Sequence, residues 1–137
     1  AMRDRALAAG EPRRKLRLVG MDADPERLEG AAQNIEFAGV GDMVELSEAD
    51  ARDFAPRPGW NAWIVTNPPY GERVGAAQAL KPIYKAFGER LREHCSGYRL
   101  ALLSGNPELD AELALSNVTR TALKNGALDC ELLQAEL

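Results

Sequence analysis

Ala62-Trp63-Ile64-Val65-Thr66-Asn67-Pro68-Pro69-Tyr70 sets an apolar five-residue run directly before two prolines. The run reads as a strand. Consecutive prolines cannot donate to a sheet ladder, so they end it in a stiff turn with a polar amide before them and an aromatic ring after. The carboxyl end of a strand is where an open α/β sheet binds its ligands. An Asn side-chain oxygen and a proline carbonyl converging on one point can accept two hydrogen bonds from an exocyclic amino group, while an aromatic face holds a flat ring. The predicted pocket suits an amino-bearing planar group. A plain proline-rich turn would account for Pro68 and Pro69 but gives no reason for Asn67 and Tyr70.

Outward from this corner, hydrophobic spacing lays down alternating strands and helices. Residues 3–9 look like the tail of a helix. Leu16 to Met21 reads as a buried strand running into Asp22-Ala23-Asp24-Pro25, where Asp24 can cap a helix and Pro25 can take its first position. Leu28, Ala31, Ala32, Ile35 and Ala38 keep helical spacing until Gly39 or Gly41. Val44-Glu45-Leu46 predicts a short strand, followed by Asp50 and a Pro56, Pro58, Gly59 loop. After the corner, Leu80, Ile83, Tyr84, Phe87 and Leu91 form one apolar helix face, which is core. Tyr98 to Ser104 is a further strand, and Asn106-Pro107 opens a short helix carrying Leu109 and Leu113. Thr119 to Leu123 and Cys130 to Gln134 bracket Lys124-Asn125-Gly126, and Asn-Gly is a favoured pair for a tight hairpin turn. The order predicts an α/β, doubly wound, mostly parallel sheet ending in an antiparallel hairpin.

At 137 residues the chain is expected to form a single domain, 1–137, long enough to bury a real core. No apolar stretch approaches membrane-spanning length and no leader is visible, so a cytoplasmic location is the default expectation. Cys95 and Cys130 are far apart in sequence and lack His or Cys at ligand spacing, which predicts buried or idle thiols with neither a zinc site nor a disulfide framework. His94, the single histidine, falls at an expected helix end, where a dipole contact explains it better than catalysis. A net charge of −4 argues against this piece gripping nucleic acid by itself, because phosphate contacts need clustered Lys and Arg. Arg13-Arg14-Lys15 with Arg17 is the one basic cluster, and it is short enough to be a solvated face.

Two acids accompany the corner. Asp22 ends the first strand, where such acids accept hydrogen bonds from ribose hydroxyls in nucleotide-binding α/β sheets. Asp50 follows the second strand, and Asn67 the next. A helix cap and an exposed loop acid are the plain alternatives for Asp22 and Asp50. No Gly-x-Gly turn precedes residue 16, although nucleotide-binding folds place one after their first strand. The expectation is a fragment lacking that first, central strand.

Thr66 to Gly71, continued by Glu72-Arg73, resembles the active-site loop of S-adenosylmethionine (SAM) dependent amino-methyltransferases. From about residue 17 to 134 the order of elements resembles the catalytic domain of RNA guanine-N2-methyltransferases that carry a THUMP RNA-binding domain. Asn67-Pro68-Pro69-Tyr70-Gly71-Glu72-Arg73 and Lys124-Asn125-Gly126-Ala127-Leu128-Asp129-Cys130 carry that resemblance. It implies a Rossmann-like class I SAM-dependent methyltransferase fold and a guanine of 23S ribosomal RNA as acceptor. It implies catalytic roles for Asn67, Pro68, Pro69 and Tyr70, and base contacts from Tyr70, Gly71 and Arg73. Asp22 and Ala23 would hold the ribose of SAM, Asp50 and the Ala51 amide its adenine, and Asn67 would also border the cofactor. The rRNA would be held by an RNA-binding domain outside this chain. Asn-Pro-Pro-Tyr alone is shared with DNA adenine-N6 and protein glutamine-N5 enzymes, so those acceptors stay open, as does a non-catalytic fragment unable to bind SAM alone.

Overall fold

A computed structural model describes residues 2–9, 16–71 and 75–137. They fall into two compact units, Ala1–Ala49 and Asp50–Leu137. Arg73 and the Arg13-Arg14-Lys15 cluster lie outside the described residues.

The first unit contains α1 (Met2–Ala9), β1 (Leu18–Asp22), α2 (Pro25–Ala38) and β2 (Val44–Glu48). Asp24 is extended and its carboxylate accepts from the Glu26 amide at 3.0 Å, so one orphan donor of α2 is satisfied just ahead of Pro25. Gly39 ends the helix at φ 69°, in the left-handed region that a residue with a β-carbon resists. β1 and β2 pair in parallel from Leu18 opposite Val44 to Asp22 opposite Glu48. That register carries β2 two residues past Leu46. β1 was expected to be buried, yet Leu18 is 54% exposed and Met21 41%. The reason is topological: among the described residues β1 has β2 as its one ladder neighbour, leaving its other edge open.

The second unit holds β3 (Trp63–Thr66), α3 (Ala76–His94), β4 (Arg99–Ser104), α4 (Pro107–Glu112), β5 (Thr119–Asn125) and β6 (Leu128–Glu136). Its sheet runs β3-β4-β6-β5, with β3 parallel to β4 and β6 antiparallel to both neighbours. Alternation on β4 turns Leu100, Leu102 and Ser104 inward, and Tyr84 and Leu91 of α3 share one core cluster with Leu100 and Leu102. Leu109, Leu113 and Leu133 complete a core in which each fully buried leucine contributes roughly 1.5–3 kcal/mol. Cys95 and Cys130 are free and buried. On β3, Val65 is exposed because that strand too has a single ladder partner among the described residues.

The hairpin differs from expectation by one residue. Asn125 pairs with Leu128, so Gly126 and Ala127 are the two central residues, not Asn125 and Gly126. The ladder decides this: β6 is held between β4 and β5, and its register leaves the left-handed φ of 63° at Gly126, the first central position.

Candidate active site

Thr66 is the last paired residue of β3, opposite Leu102, and the chain leaves the sheet at Asn67. The diproline then folds the backbone so that the Tyr70 hydroxyl donates to Asn67 Oδ1. Asn67 is exposed and Tyr70 half-buried. The backbone that follows is fastened twice. Tyr84 Oη on α3 donates to the Pro69 carbonyl at 3.0 Å, and Asn106 Nδ2, just before α4, donates to the Tyr70 carbonyl at 3.2 Å. Gly71 turns at φ 72°, and a β-carbon there would sit 2.8 Å from the backbone nitrogen and Cα of Ala77, so glycine is required on both counts. A β-carbon on Gly105 would lie 2.7 Å from two carbons of the Tyr70 ring, which places that backbone flat against the phenol.

Burial first, then the charge of Asp110 and the neighbouring Tyr70, pushes the Tyr84 phenol well above its usual range, so it stays a donor at every working pH. Asp110 is buried; its Oδ2 accepts from Ser104 Oγ at 2.7 Å and from Arg120 Nη1 at 3.0 Å, while Oδ1 has no partner among the described residues. Arg120 also reaches Glu131 at 2.7 Å, so one guanidinium links α4 to both strands of the hairpin. The Ser104 hydroxyl in turn accepts from the Asn106 amide. In the sequence Tyr84 reads purely as core and Asn106 purely as a helix opener. One signal could have found Asn106: it follows the carboxyl end of β4, the strand parallel and adjacent to β3, where ligand sites gather.

Asp50 caps a single 3-10 turn, Ala51–Asp53. Arg52 grips it with three donors: its amide at 2.8 Å and Nε at 2.9 Å to Oδ1, and Nη2 at 2.7 Å to Oδ2. The guanidinium and amide of Arg52 hold this carboxyl down to about 2. Its contribution to stability is therefore present above pH 3.8 and lost as pH falls through 2. Arg52→Ala should return the Asp50 carboxyl towards its ordinary value, read as a rightward shift of its carbon-detected NMR titration. A midpoint unmoved in the variant would contradict the guanidinium as cause. Nothing in the sequence marked Arg52.

Asp22 closes β1 in the first unit, where Oδ1 accepts from the Asp24 amide at 2.9 Å and its own carbonyl accepts from Ala49. Ala23 is exposed beside it. Asp50, Ala51, Asn67 to Tyr70 and Gly71 all belong to the second unit. His94 ends α3, the position expected of it, and Arg90 Nη1 lies 2.9 Å from its ring. Among the described residues no cluster of His, Cys, Asp or Glu could hold a metal ion, and no helix is long and apolar enough to cross a membrane.

Residues 2–134 match the family described as UPF0020, RMKL-like, methyltransferase domain. Ribosomal RNA large subunit methyltransferase K/L of Pseudomonas aeruginosa is 39% identical over 132 residues, which is 95% of this chain and 18% of that protein. Among solved structures, a possible methylase from Clostridium difficile 630 superposes with a TM-score of 0.87 at 28% identity, covering 97% of this chain and 35% of the other. A protein described as a methyltransferase, SMU.472, in complex with SAH, gives a TM-score of 0.86 at 25% identity with the same coverage. The chain thus spans under a fifth of the length of the curated relative and about a third of the solved ones.

Proposed function

The chain belongs to the UPF0020 family of RMKL-like methyltransferase domains and has the class I SAM-dependent methyltransferase fold, and from that premise we propose that it is a partial catalytic domain of a longer cytoplasmic enzyme that methylates the exocyclic N2 of a guanine in 23S ribosomal RNA. One observation carries the reading. The Asn67 amide oxygen and the Tyr70 phenol meet on a corner whose next two carbonyls, those of Pro69 and Tyr70, are tied to α3 and to the β4–α4 turn. Ribosomal RNA as acceptor is supported by the name of the curated relative, and guanine N2 by the resemblance of Gly71-Glu72-Arg73 and of Lys124 to Cys130.

SAM, when bound, supplies a methyl group on a sulfonium that leaves as a neutral thioether. The residues of this chain do the positioning. Asn67 Oδ1 and the Pro68 carbonyl accept the two amine hydrogens, which turns the nitrogen lone pair towards the methyl carbon; once methylated, the nitrogen sheds one of those hydrogens as a proton to solvent. Tyr70 stacks on the flipped base, with Gly71 alongside, and must release Asn67 Oδ1 to the amine as the base enters; Arg73 is assigned to the base by the resemblance alone. By the resemblance, Asp22 and Ala23 are assigned to the ribose and Asp50 and the Ala51 amide to the adenine. The donor chemistry fits: Asp50 stays ionised, accepts only, and keeps a spare lone pair on Oδ2 beyond the one that Arg52 uses. With a net charge of −4, this chain leaves the grip on RNA to a basic module elsewhere in the longer protein.

Incubating the full-length gene product with methyl-labelled SAM and deproteinised 23S rRNA, DNA or a release factor should label the rRNA, with N2-methylguanine on nucleoside analysis. Label in DNA or in the release factor would replace the guanine with adenine N6 or glutamine N5. The 137-residue chain alone, titrated with SAM by calorimetry, is expected to give no saturable heat. Tight binding by it would overturn the view that a further glycine-rich element is needed.

A further inference from the structure

We propose that Asn106 and Tyr84 are positioning residues for methyl transfer, fixing the backbone of the diproline corner, and that Gly105 between them seats the Tyr70 ring against the base. This rests on the function proposed above. The corner leaves the sheet as a loop, yet the amine needs a carbonyl and an amide oxygen set to within a fraction of an ångström. Prolines fix φ but not ψ, so two rings in a row do not by themselves fix where their carbonyls point. The structure supplies the missing restraint from two separate elements: the Tyr84 hydroxyl on the Pro69 carbonyl at 3.0 Å, and the Asn106 amide on the Tyr70 carbonyl at 3.2 Å. Pro68, whose carbonyl faces the amine in the proposed mechanism, immediately precedes these two anchored peptides.

Both anchors are themselves held. Tyr84 is buried in α3, and its phenol cannot ionise near neutral pH. Asn106 is gripped at three atoms: Nδ2 donates to Tyr70, Oδ1 accepts from the Glu108 amide at 3.0 Å, and its own amide donates to Ser104 Oγ, which is bound to buried Asp110. Asn106 thus does two jobs with opposite ends of one side-chain amide, capping α4 and fastening the corner. Gly105, next to it, has no left-handed φ that demands glycine; the atoms a β-carbon would strike are those of the Tyr70 ring. The glycine is there for the ring.

The two jobs of Asn106 can be separated. Asn106→Asp keeps an oxygen for the Glu108 amide, and Asp caps as well as Asn, but it removes the donor and turns a carboxylate towards the Tyr70 carbonyl. In the full-length gene product this variant should melt as the wild type does and bind SAM within about twofold by calorimetry, while kcat on rRNA falls roughly ten- to hundredfold. Tyr84→Phe, which deletes one hydroxyl, should lower kcat by about three- to tenfold with the same unchanged SAM affinity. Gly105→Ala should raise KM for rRNA, and that penalty should vanish when it is added to Tyr70→Ala, because the ring it displaces is gone. Full kcat in Asn106→Asp, or kcat, melting and SAM affinity all lost together, would overturn the positioning role. The underlying enzyme reading fails on a different result, namely full turnover by Asn67→Ala.

Discussion

Asn67→Ala in the full-length gene product should abolish methyl transfer to ribosomal RNA while SAM affinity stays nearly intact. A guanine amine is a weak nucleophile because its lone pair is delocalised into the ring, so transfer depends on turning that nitrogen out of conjugation and holding it on line with the methyl carbon. Two acceptors are the minimum that can do this to an NH2 group, one for each hydrogen. In the proposed pocket, removing the Asn67 oxygen would leave the Pro68 carbonyl alone, and the nitrogen could then pivot about a single hydrogen bond. It also releases the Tyr70 hydroxyl from its partner, so the stacking ring loses its starting position. Loss of one oriented polar group of this kind typically costs on the order of a hundred- to thousandfold in rate, and loss of the ring's register adds to it. SAM affinity should hardly change, because the proposed cofactor contacts lie chiefly on Asp22, Ala23, Asp50 and Ala51. Single-turnover rates with labelled SAM, beside calorimetric SAM affinity, separate the two quantities; equal losses in both would place Asn67 in cofactor binding instead.

The shape of the corner at Asn67 was legible in the sequence because strand, amide, two prolines and ring are consecutive, and geometry follows from bonding. The same holds for α2, where Asp24, Pro25 and Gly39 each act within a turn of where they stand. What the chain does not write locally is what reaches the corner from elsewhere. A tyrosine at helical spacing among Leu80, Phe87 and Leu91 reads as core, and Tyr84 is core; that its hydroxyl finds a carbonyl fifteen residues back depends on how α3 packs, not on its own surroundings in sequence. Asn106 before Pro107 reads as a cap, and it is one, so the signal that identified it also concealed its second job. Arg52 was missed for a different reason. An exposed arginine two residues from an aspartate usually contributes little, and only the tight turn at Ala51–Asp53 brings three of its donors onto one carboxylate. The hairpin shows local preference overruled: Asn-Gly favours the centre of a turn, but six residue pairs with β4 fix β6 and move that centre one residue on.

Gly88→Ala should destabilise the chain by about 3 kcal/mol, the upper end of overpacking costs, and Gly30→Ala should stabilise it by up to about 1 kcal/mol. Both glycines lie inside helices, and helix propensity alone favours alanine at each. Space decides the sign. A β-carbon on Gly30 meets nothing within 4 Å, so α2 gains the propensity term undiminished. A β-carbon on Gly88 would stand 2.7 Å from the Cα and 2.8 Å from the carbonyl carbon of Leu113, and closer still to its oxygen. These are backbone atoms, with no rotamer to yield. Leu113 is also anchored, its side chain fully buried and its carbonyl accepting from Arg92 Nη1. Relief can come only by moving the end of α4 away from α3. Urea unfolding of the two variants should therefore shift the midpoint in opposite directions, and a Gly88→Ala midpoint at or above that of the parent would refute the close approach. The displacement has a catalytic consequence as well. α4 begins at the residue after Asn106, and α3 carries Tyr84, so prising the two helices apart strains both fasteners of the diproline corner at once. In the full-length gene product, Gly88→Ala should lose turnover on rRNA at temperatures where it is still folded, whereas Gly30→Ala, in the unit that bears neither fastener, should keep it.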